Sequence, residues 1–339
     1  MKAVGYQQSH PIAHPESLRD TELPDPTPGP RDLLVEVKAI AVNPVDTKVR
    51  MRTQPEAGGW NVLGFDASGV VRAVGSEVKL FQPGARVWYA GALQRPGSNS
   101  ELQLVDERIV GTMPASLDFA AAAALPLTTI TAWEMLFDRL QIRPGKHHDG
   151  QSLLIVGAAG GVGSIMTQLA RRLTGLTVIG TASRPETSQW VHELGAHAVI
   201  DHTHPIDQEL VKIGAPPPNY IVSLTQTDRH FARLAAALAP QGRFGLIDDP
   251  APGSIDIGLL KRKSASLHWE FMFTRSMFDT PDMIAQHDLL DEVASLVDAN
   301  VIRTTLGEHF GRISASNLKR AHALLESGKA RGKIVMEGF

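Results

Sequence analysis

The sequence predicts an α/β protein that combines a doubly wound parallel sheet with a β-rich domain. Three observations predict this fold class: a glycine-rich turn between a strand and a helix, alternating strands and helices after it, and short strands between turn residues before it. The chain has 339 residues, a length typical of about two domains. We therefore expect one domain of each kind.

The first third of the chain has the pattern of β structure. Strand-like runs occur at 33–39, 67–74 and 85–89, and proline and glycine interrupt them at 28–30 and 83–84. Both residues are typical of turns, for different reasons: proline fixes φ and glycine tolerates positive φ. Short strands at this spacing predict a small barrel or sandwich.

The middle of the chain alternates between strand and helix patterns. The predicted strands are 153–156, 177–180, 198–201, 219–224, 243–248 and 266–273, and the predicted helices between them are 161–174, 186–194 and 228–239. Six strands with intervening helices fit two mononucleotide-binding halves, and hence a Rossmann-type doubly wound parallel sheet. The tail adds predicted helices near 287–299 and 314–327 and a last strand at 333–336.

A glycine-rich turn follows the first strand of this middle region. The apolar run 153–156 precedes it and a helical pattern follows, which is the context that a dinucleotide fingerprint requires. Glycine lets the backbone approach a pyrophosphate, whose charge then lies at the positive helix N-terminus. We expect the whole turn to bind a cofactor: Gly157, Ala158, Ala159, Gly160, Gly161, Val162 and Gly163.

Composition excludes several classes of protein. The chain is 43% hydrophobic and 20% charged with a net charge of −3, so no basic excess favours nucleic acid or an acidic membrane. It has no cysteine, which rules out disulfides and thiolate metal sites. The N-terminus has no signal-peptide pattern, and we expect no membrane span and a cytoplasmic enzyme.

Four motifs resemble the medium-chain dehydrogenase/reductase superfamily, and its quinone oxidoreductase branch in particular. They lie at 43–46, 63–71, 156–163 and 328–335. That branch includes proteins called zinc-type alcohol dehydrogenase-like. The resemblance implies a GroES-like catalytic domain over 1–127 and 277–339 and a Rossmann NADP(H)-binding domain over 128–276. It also implies a homodimer formed through the strand at 266–273.

The residues that match the family's catalytic zinc ligands do not suit a metal. Zinc-dependent members place cysteine, histidine and cysteine where this chain has Asn43, Phe65 and about Leu127. None of these is an ordinary zinc ligand, so we expect no zinc. The other candidate cluster is His202 with His204, near His197, which is more typical of a solvated turn.

The second strand of the middle region indicates which cofactor binds. For NAD, an acidic residue about 20 positions after the glycines usually binds the ribose 2′-hydroxyl. Here Ser183 lies 20 positions after Gly163 and Arg184 follows, so a hydroxyl and a guanidinium replace the carboxylate. This pair favours a 2′-phosphate and predicts NADP(H). A compatible local interpretation is a capping box from Ser183 to Glu186.

The resemblance implies further cofactor contacts. Thr131 is expected near the nicotinamide, and Leu224 and Thr225 follow the fourth strand of the middle region. Core packing is an alternative for the apolar members of this set. The remaining expected cofactor contacts are Asp248 after the fifth strand, Phe271 and Phe273 in the last strand, and Lys333 near the pyrophosphate.

The expected catalytic residues are Asn43, Asp46 and Thr131. The Asn43 amide is expected to donate to a substrate oxygen or to a cofactor hydroxyl, although Asn-Pro is also a common turn. Asp46 and Asp66 match acids behind the metal of zinc-dependent relatives, and structural roles as hydrogen-bond acceptors stay open for both. Arg50 matches a residue expected to shape the mouth of the cleft.

These residues predict an NADPH-dependent oxidoreductase that reduces quinones or α,β-unsaturated carbonyls without a catalytic metal. Such acceptors need only hydride delivery to carbon and hydrogen-bond donors for the oxygen. The expected partners are a small-molecule substrate and a second copy of the chain, with no nucleic acid. Two alternatives stay open: a zinc-type alcohol dehydrogenase acting on alcohols or aldehydes, and an NADPH-binding protein with a regulatory or structural role.

Overall fold

The computed structural model describes residues 1–147 and 150–339. These residues form two compact units, Met1–Ile130 with Phe273–Phe339, and Thr131–Met272. The sequence placed the borders after residues 127 and 276. The mixed α/β fold class is confirmed, and each unit has its own sheet system.

The N-terminal part of the first unit is rich in strands. Its elements in chain order are β1 (Lys2–Tyr6), β2 (Arg19–Glu22), β3 (Asp32–Val42), α1 (Pro44–Arg52), β4 (Asn61–Val62), β5 (Asp66–Val74), β6 (Arg86–Ala90), β7 (Leu102–Asp106), β8 (Val110–Thr112), α2 (Phe119–Ala123) and α3 (Pro126–Trp133). Alternate residues of β3 are buried at first and all are buried from Ala39 onward, because its far end lies inside the unit.

The second unit alternates strands with helices. Its elements are β9 (Ser152–Val156), α4 (Gly161–Leu173), β10 (Thr177–Thr181), α5 (Pro185–Glu193), β11 (Ala198–Ile200), α6 (Ile206–Lys212), β12 (Tyr220–Ser223), α7 (Thr227–Ala237), β13 (Arg243–Leu246) and β14 (Ser266–Trp269). All the pairings are parallel, in the order β11-β10-β9-β12-β13-β14. This is the strand order of a doubly wound dinucleotide fold, so the predicted Rossmann topology is confirmed.

The C-terminal segment completes the first unit. Its elements are α8 (Thr274–Phe278), α9 (Ala285–Asp298), β15 (Leu306–His309), α10 (Ala315–Glu326) and β16 (Lys333–Glu337). Strand β16 pairs antiparallel with β3, which in turn pairs with β5. The sheet order is β15-β16-β3-β5-β6-β8, with β7 also on β3, while β2-β1-β4 form a separate sheet.

The last strand of the parallel sheet is shorter than predicted. We expected a strand over 266–273, but β14 ends at Trp269, so Phe271 and Phe273 do not lie in a strand. The neighbouring β13 ends at Leu246, whose carbonyl accepts the Glu270 N–H at 3.0 Å. Strand β13 does not extend beyond that bond, so β14 has no further ladder to join there.

One helical stretch is long and apolar enough to cross a membrane by length and composition. It covers Phe119–Arg139, and 83% of its most apolar window is buried inside the protein. Burial of this extent is what a core helix of a folded domain shows, and we interpret the stretch in that way.

A buried pair of carboxyl groups lies inside the second unit. Glu134 begins a π-helical turn, and Glu270 follows β14. Arg139 joins them: its Nε donates to Glu270 at 2.7 Å and its guanidinium lies 3.5 Å from Glu134. Burial, and then the neighbouring Glu134, raise the pKa of Glu270, while Arg139 opposes the shift.

We predict that Glu270 makes the stability of the protein depend on pH. Because its pKa is raised on folding, the native state keeps a proton that the unfolded chain releases above the ordinary glutamate pKa. Stability therefore falls as pH rises, by at most about 1.4 kcal/mol per pH unit. Urea titrations between about pH 5 and 8 should show a shallower fall in the Glu270→Gln variant. The exposed Glu292→Gln variant should keep the wild-type slope, and an unchanged slope in Glu270→Gln would contradict the assignment.

Candidate active site

The glycine turn lies between β9 and α4 and is shaped by close backbone approach. Gly157 has φ +83°, a conformation that glycine adopts without strain. A Cβ on Gly163 would lie 2.4 Å from the Gly157 oxygen and 2.5 Å from the Ala158 Cα. Both glycines are therefore required by the turn itself, whatever it binds.

The same turn leaves room for a ligand at the start of α4. A Cβ on Gly160, the N-cap residue, would meet only the Gly157 oxygen, at 3.5 Å. Helix geometry leaves the first N–H groups of α4, from Gly161 onward, without intrahelical acceptors. Backbone donors at a positive helix end, beside open space, fit the pyrophosphate of a dinucleotide.

Two predicted cofactor residues adjoin this turn. The Leu224 N–H donates to the Val156 oxygen at 3.2 Å. The Cγ2 atom of Thr225 would lie 3.1 Å from a Cβ placed on Gly157. The end of β12 therefore lies directly beside the glycine turn, as the parallel pairing of β9 with β12 requires.

Ser183 and Arg184 follow β10 as expected, but their local structure differs from the predicted capping box. The N-cap of α5 is Arg184 rather than Ser183. The Arg184 N–H donates to Thr187 Oγ1 at 3.3 Å, so Thr187 takes the place expected for Glu186. Glu186 instead pairs with the Arg184 guanidinium at 3.1 Å. Ser183 is exposed and Arg184 is partly exposed.

Asp248 supports a helix. Its carboxylate accepts the N–H of Thr227 at 2.9 Å and the hydroxyl of the same residue. It therefore holds the first turn of α7, a position that suits a carboxylate.

Phe271, Phe273 and Thr131 lie in different environments. Phe271 is 46% exposed. Phe273 is buried and belongs to the first unit, where its ring contacts Phe65 edge to face with centroids 5.1 Å apart. Thr131 is buried in α3 at the start of the second unit. The prediction that Phe271 and Phe273 share a strand was wrong because β14 stops before them.

Asn43, Asp66 and Lys333 form a buried polar network in the first unit. The Lys333 ammonium donates to Asp66 Oδ2 at 2.7 Å and to Asn43 Oδ1. Asn43 Nδ2 donates to the same Asp66 oxygen at 2.8 Å, and the N–H of Leu127 donates to Asp66 Oδ1 at 2.7 Å. Asn43, Asp66 and Lys333 are each no more than 3% exposed, so water does not screen these contacts.

Sheet register explains how distant parts of the chain meet in this network. Ile334 of β16 lies opposite Val42 of β3, which places Lys333 beside Asn43. Ala41 of β3 lies opposite Asp66, the first residue of β5. Sequence reasoning assigned Lys333 to the cofactor and did not predict its contacts with Asn43 and Asp66; no local pattern marks them.

Asp46 lies next to the network and holds the local backbone. Its carboxylate accepts the N–H groups of Asn43 at 2.8 Å and Gly64 at 2.9 Å. Burial raises the pKa of Asp46 to about 7, against the lowering effect of those two bonds and of the Lys333 ammonium. Asp46 therefore fixes the start of α1, and hence the position of Asn43.

Arg50, which the resemblance placed at the mouth of the cleft, is buried inside the first unit. Its side chain is fully buried and lies 2.9 Å from His322 Nδ1, and it also pairs with Glu326. Burial, and then the Arg50 charge, lower the pKa of His322 to about 3, so its ring is neutral and accepts from the guanidinium. Arg50 thus joins α1 to α10.

The donor set at the expected metal position does not fit zinc. Asn43 Oδ1 accepts from the Lys333 ammonium, Phe65 has no donor atom, and Leu127 uses its N–H on Asp66. The candidate oxygen ligand thus lies against an ammonium, whose positive charge would repel a metal cation. Over 1–147 and 150–339, no three His, Cys, Asp or Glu side chains are placed to hold a metal ion.

The three histidines of the other candidate cluster make different contacts. His197 Nδ1 accepts the N–H of Val178 at 2.9 Å and so supports β10. His204 is exposed and lies 3.7 Å from Asp201. His202 differs: its Nδ1 is buried with no hydrogen-bond partner among the described residues, and its ring lies edge to face with that of His230, with centroids 6.0 Å apart. The interpretation as a solvated turn therefore fits His204 but not His202.

The second unit has the parallel sheet and glycine turn of a dinucleotide-binding fold, and the first unit carries a buried polar network; this combination is typical of an oxidoreductase. Family models agree: residues 29–121 match the alcohol dehydrogenase GroES-like domain and residues 194–336 match the zinc-binding dehydrogenase family. A zinc-type alcohol dehydrogenase-like protein of Staphylococcus aureus strain MSSA476 is 39% identical, over 99% of both chains. The chain belongs to the medium-chain dehydrogenase/reductase superfamily.

Other relatives carry different names. A quinone oxidoreductase of Pseudomonas aeruginosa is 31% identical over 95% of this chain and 96% of its own. A Rhizobium etli structure, provisionally assigned as a zinc-dependent alcohol dehydrogenase, is 57% identical with a TM-score of 0.96, over 100% of this chain and 98% of its own. Escherichia coli quinone oxidoreductase complexed with NADPH is 25% identical with a TM-score of 0.84, over 99% of this chain and 100% of its own.

We predict that Gly160 and Gly163 of the turn respond differently to substitution by alanine. Because a Cβ on Gly163 would overlap backbone atoms, Gly163→Ala should lower the free energy of unfolding by about 1–3 kcal/mol. Gly160→Ala, whose Cβ has space, should lower it by less than about 1 kcal/mol. Urea unfolding of both variants measures the difference, and equal losses would contradict the described packing.

Proposed function

We propose that this protein is an NADPH-dependent reductase of quinones or α,β-unsaturated carbonyls that works without a catalytic metal. One observation carries the proposal: the Asn43 oxygen, at the expected position of a metal ligand, accepts from the buried Lys333 ammonium. The relatives named quinone oxidoreductase support the substrate class. The names that mention zinc describe the relatives, and the donor chemistry of this chain argues against a zinc-assisted reaction.

The substrate class follows from what a site of this chemistry can do. Removing the proton of an alcohol usually needs a metal or a strong general base. A conjugated acceptor needs neither, because its electron pair moves to an oxygen that requires only hydrogen-bond donors. The nicotinamide of NADPH, when bound, supplies the hydride. The protein then has to orient the acceptor, stabilise its oxygen and exclude water.

The residues that would hold the cofactor belong to the second unit. The turn from Gly157 to Gly163 offers backbone donors to the pyrophosphate. Leu224 and Thr225 adjoin that turn, and Ser183 with Arg184 would bind the 2′-phosphate. The Escherichia coli relative complexed with NADPH supports the choice of NADP(H).

A homodimer is also part of the proposal. Strand β14 has one neighbour among the described strands, β13, so its other edge is open. Trp269 on this edge is 51% exposed. An open edge with an exposed aromatic ring favours pairing with another chain, and light scattering in solution tests it.

We predict oxidation of NADPH by the metal-depleted protein. Anaerobic assays with a panel of quinones, enones and simple aldehydes should show turnover of the first two classes that EDTA does not change. Loss of activity with EDTA and its return with zinc would favour the alcohol dehydrogenase alternative. Tight NADPH binding with no turnover of any acceptor would favour the regulatory or structural alternative.

We predict that Arg184 sets the preference for NADPH over NADH. In Arg184→Asp a carboxylate would repel the 2′-phosphate, so the ratio of the two dissociation constants should shift toward NADH by about ten-fold or more. Calorimetric titration measures both constants. Arg172→Asp, an exposed arginine in the last turn of α4, is the matched control. A variant that keeps its NADPH preference would refute the assignment.

A further inference from the structure

Lys333 has a buried ammonium with a hydrogen-bond donor to spare. The residue is 3% exposed, and its Nζ donates to Asn43 Oδ1 and to Asp66 Oδ2. An ammonium has three N–H donors. Within 1–147 and 150–339, no acceptor lies within hydrogen-bond distance for the third. A buried N–H without an acceptor is costly, so an additional acceptor at this position would be stabilising.

The arrangement around Lys333 also fixes where that donor points. Asp66 is anchored by the N–H of Leu127, and Asn43 is anchored through its own N–H on Asp46. Both partners are buried, so the ammonium cannot swing freely. A preorganised cation of this kind stabilises negative charge without first reorganising, as an oxyanion hole does.

We propose that Lys333, rather than Asn43, is the catalytic residue that donates to the substrate oxygen. This inference rests on the proposed function. Asn43 is then a positioning residue, because one Nδ2 hydrogen is used on Asp66 and its oxygen accepts from Lys333. The group that accepts the third N–H of Lys333 is the oxygen of a quinone or a conjugated carbonyl. This oxygen is a hydrogen-bond acceptor and becomes anionic during reduction.

The proposed reduction needs no metal ion. A hydride forms a C–H bond at the electron-poor carbon of the acceptor, and the π electron pair moves to the oxygen. The oxygen becomes an enolate oxygen while the Lys333 N–H donates to it. For a quinone, water then moves the proton from the reduced carbon to the second oxygen, which gives the aromatic hydroquinone. Lys333 keeps its proton, and water later supplies the proton that completes the product. The two electrons come from NADPH, which is oxidised to NADP⁺.

Lys333 is also the counter-ion of Asp66, and the experiment has to separate the two roles. Removing Lys333 alone leaves a buried carboxylate unpaired, which destabilises a protein strongly. The double variant Asp66→Asn with Lys333→Met removes both charges together. Its first control is Asp66→Asn alone, which keeps the ammonium and its contact with Asn43 but removes its counter-ion. The second control is Lys333→Arg, which keeps a cation opposite Asp66 and should keep the preference for the anion. Thermal unfolding tests that all three variants are folded before they are compared.

The probe is 4-nitrophenol, whose anion resembles the developing oxyanion and absorbs visible light. Absorbance titration of the NADP⁺ complex with pH gives the pKa of the bound phenol. Wild type and Asp66→Asn should bind the anion in preference to the neutral phenol by about ten-fold or more, and the double variant should lose that preference. Against Asp66→Asn, the double variant should also lose about 100- to 1000-fold in kcat for quinone reduction, with a smaller change in KM.

Equal preference for the anion in Asp66→Asn and in the double variant would overturn the proposal and leave Lys333 as a counter-ion. The phenol titration needs no turnover. If wild type reduced none of the acceptors but still bound the anion through Lys333, the proposed function would fail while the anion site would stand. If wild type reduced quinones and the double variant did so equally well, the role of Lys333 alone would fail.

Discussion

The buried ion pair between Lys333 and Asp66 is the interaction on which the candidate site depends. It joins the first residues of β16 and β5 on either side of β3, at a separation of 2.7 Å. A charge at this depth is stable only with its partner and with hydrogen bonds to the remaining donors and acceptors. Asn43 and the N–H of Leu127 supply those bonds. The site therefore holds its charges in place before any ligand arrives.

The relatives of this chain carry names that imply different chemistry. Proteins at 39% identity are called zinc-type alcohol dehydrogenase-like, and one at 31% is called a quinone oxidoreductase. The family is defined by the two folds, whereas metal chemistry depends on a few donor atoms. At the three matching positions this chain has Asn43, whose oxygen accepts from an ammonium, and Phe65 and Leu127, whose side chains have no donor atom for a metal. The fold therefore shows the superfamily, and the metal-free reaction stays a proposal that rests on the donor set.

Local sequence patterns predicted the parallel sheet well. Apolar runs, glycine turns and helical periods mark β9 to β13 because each signal lies within a few residues. The predictions were wrong where a neighbouring strand or side chain determines where an element begins or ends. Strand β14 stops because β13 stops, and α5 begins at Arg184 because Thr187 satisfies its N–H. Neither the end of β13 nor the role of Thr187 can be predicted from the local sequence of β14 or of Arg184.

The candidate site was predicted only in part for the same reason. Asn43 and Asp46 belong to one motif, and their closeness follows from it. Lys333 lies 290 positions from Asn43 and 267 from Asp66, and only the pairing of β16 with β3 and of β3 with β5 brings them together. The burial of Arg50 against α10 depends in the same way on contacts between distant segments.

The most direct measurement is a crystal structure of the NADPH complex, with diffraction recorded on both sides of the zinc absorption edge after growth with zinc. We predict no anomalous peak beside Asn43 or Asp66, and Lys333 Nζ within hydrogen-bond distance of both. A zinc ion bound to either side chain, with Lys333 displaced, would contradict the central claim.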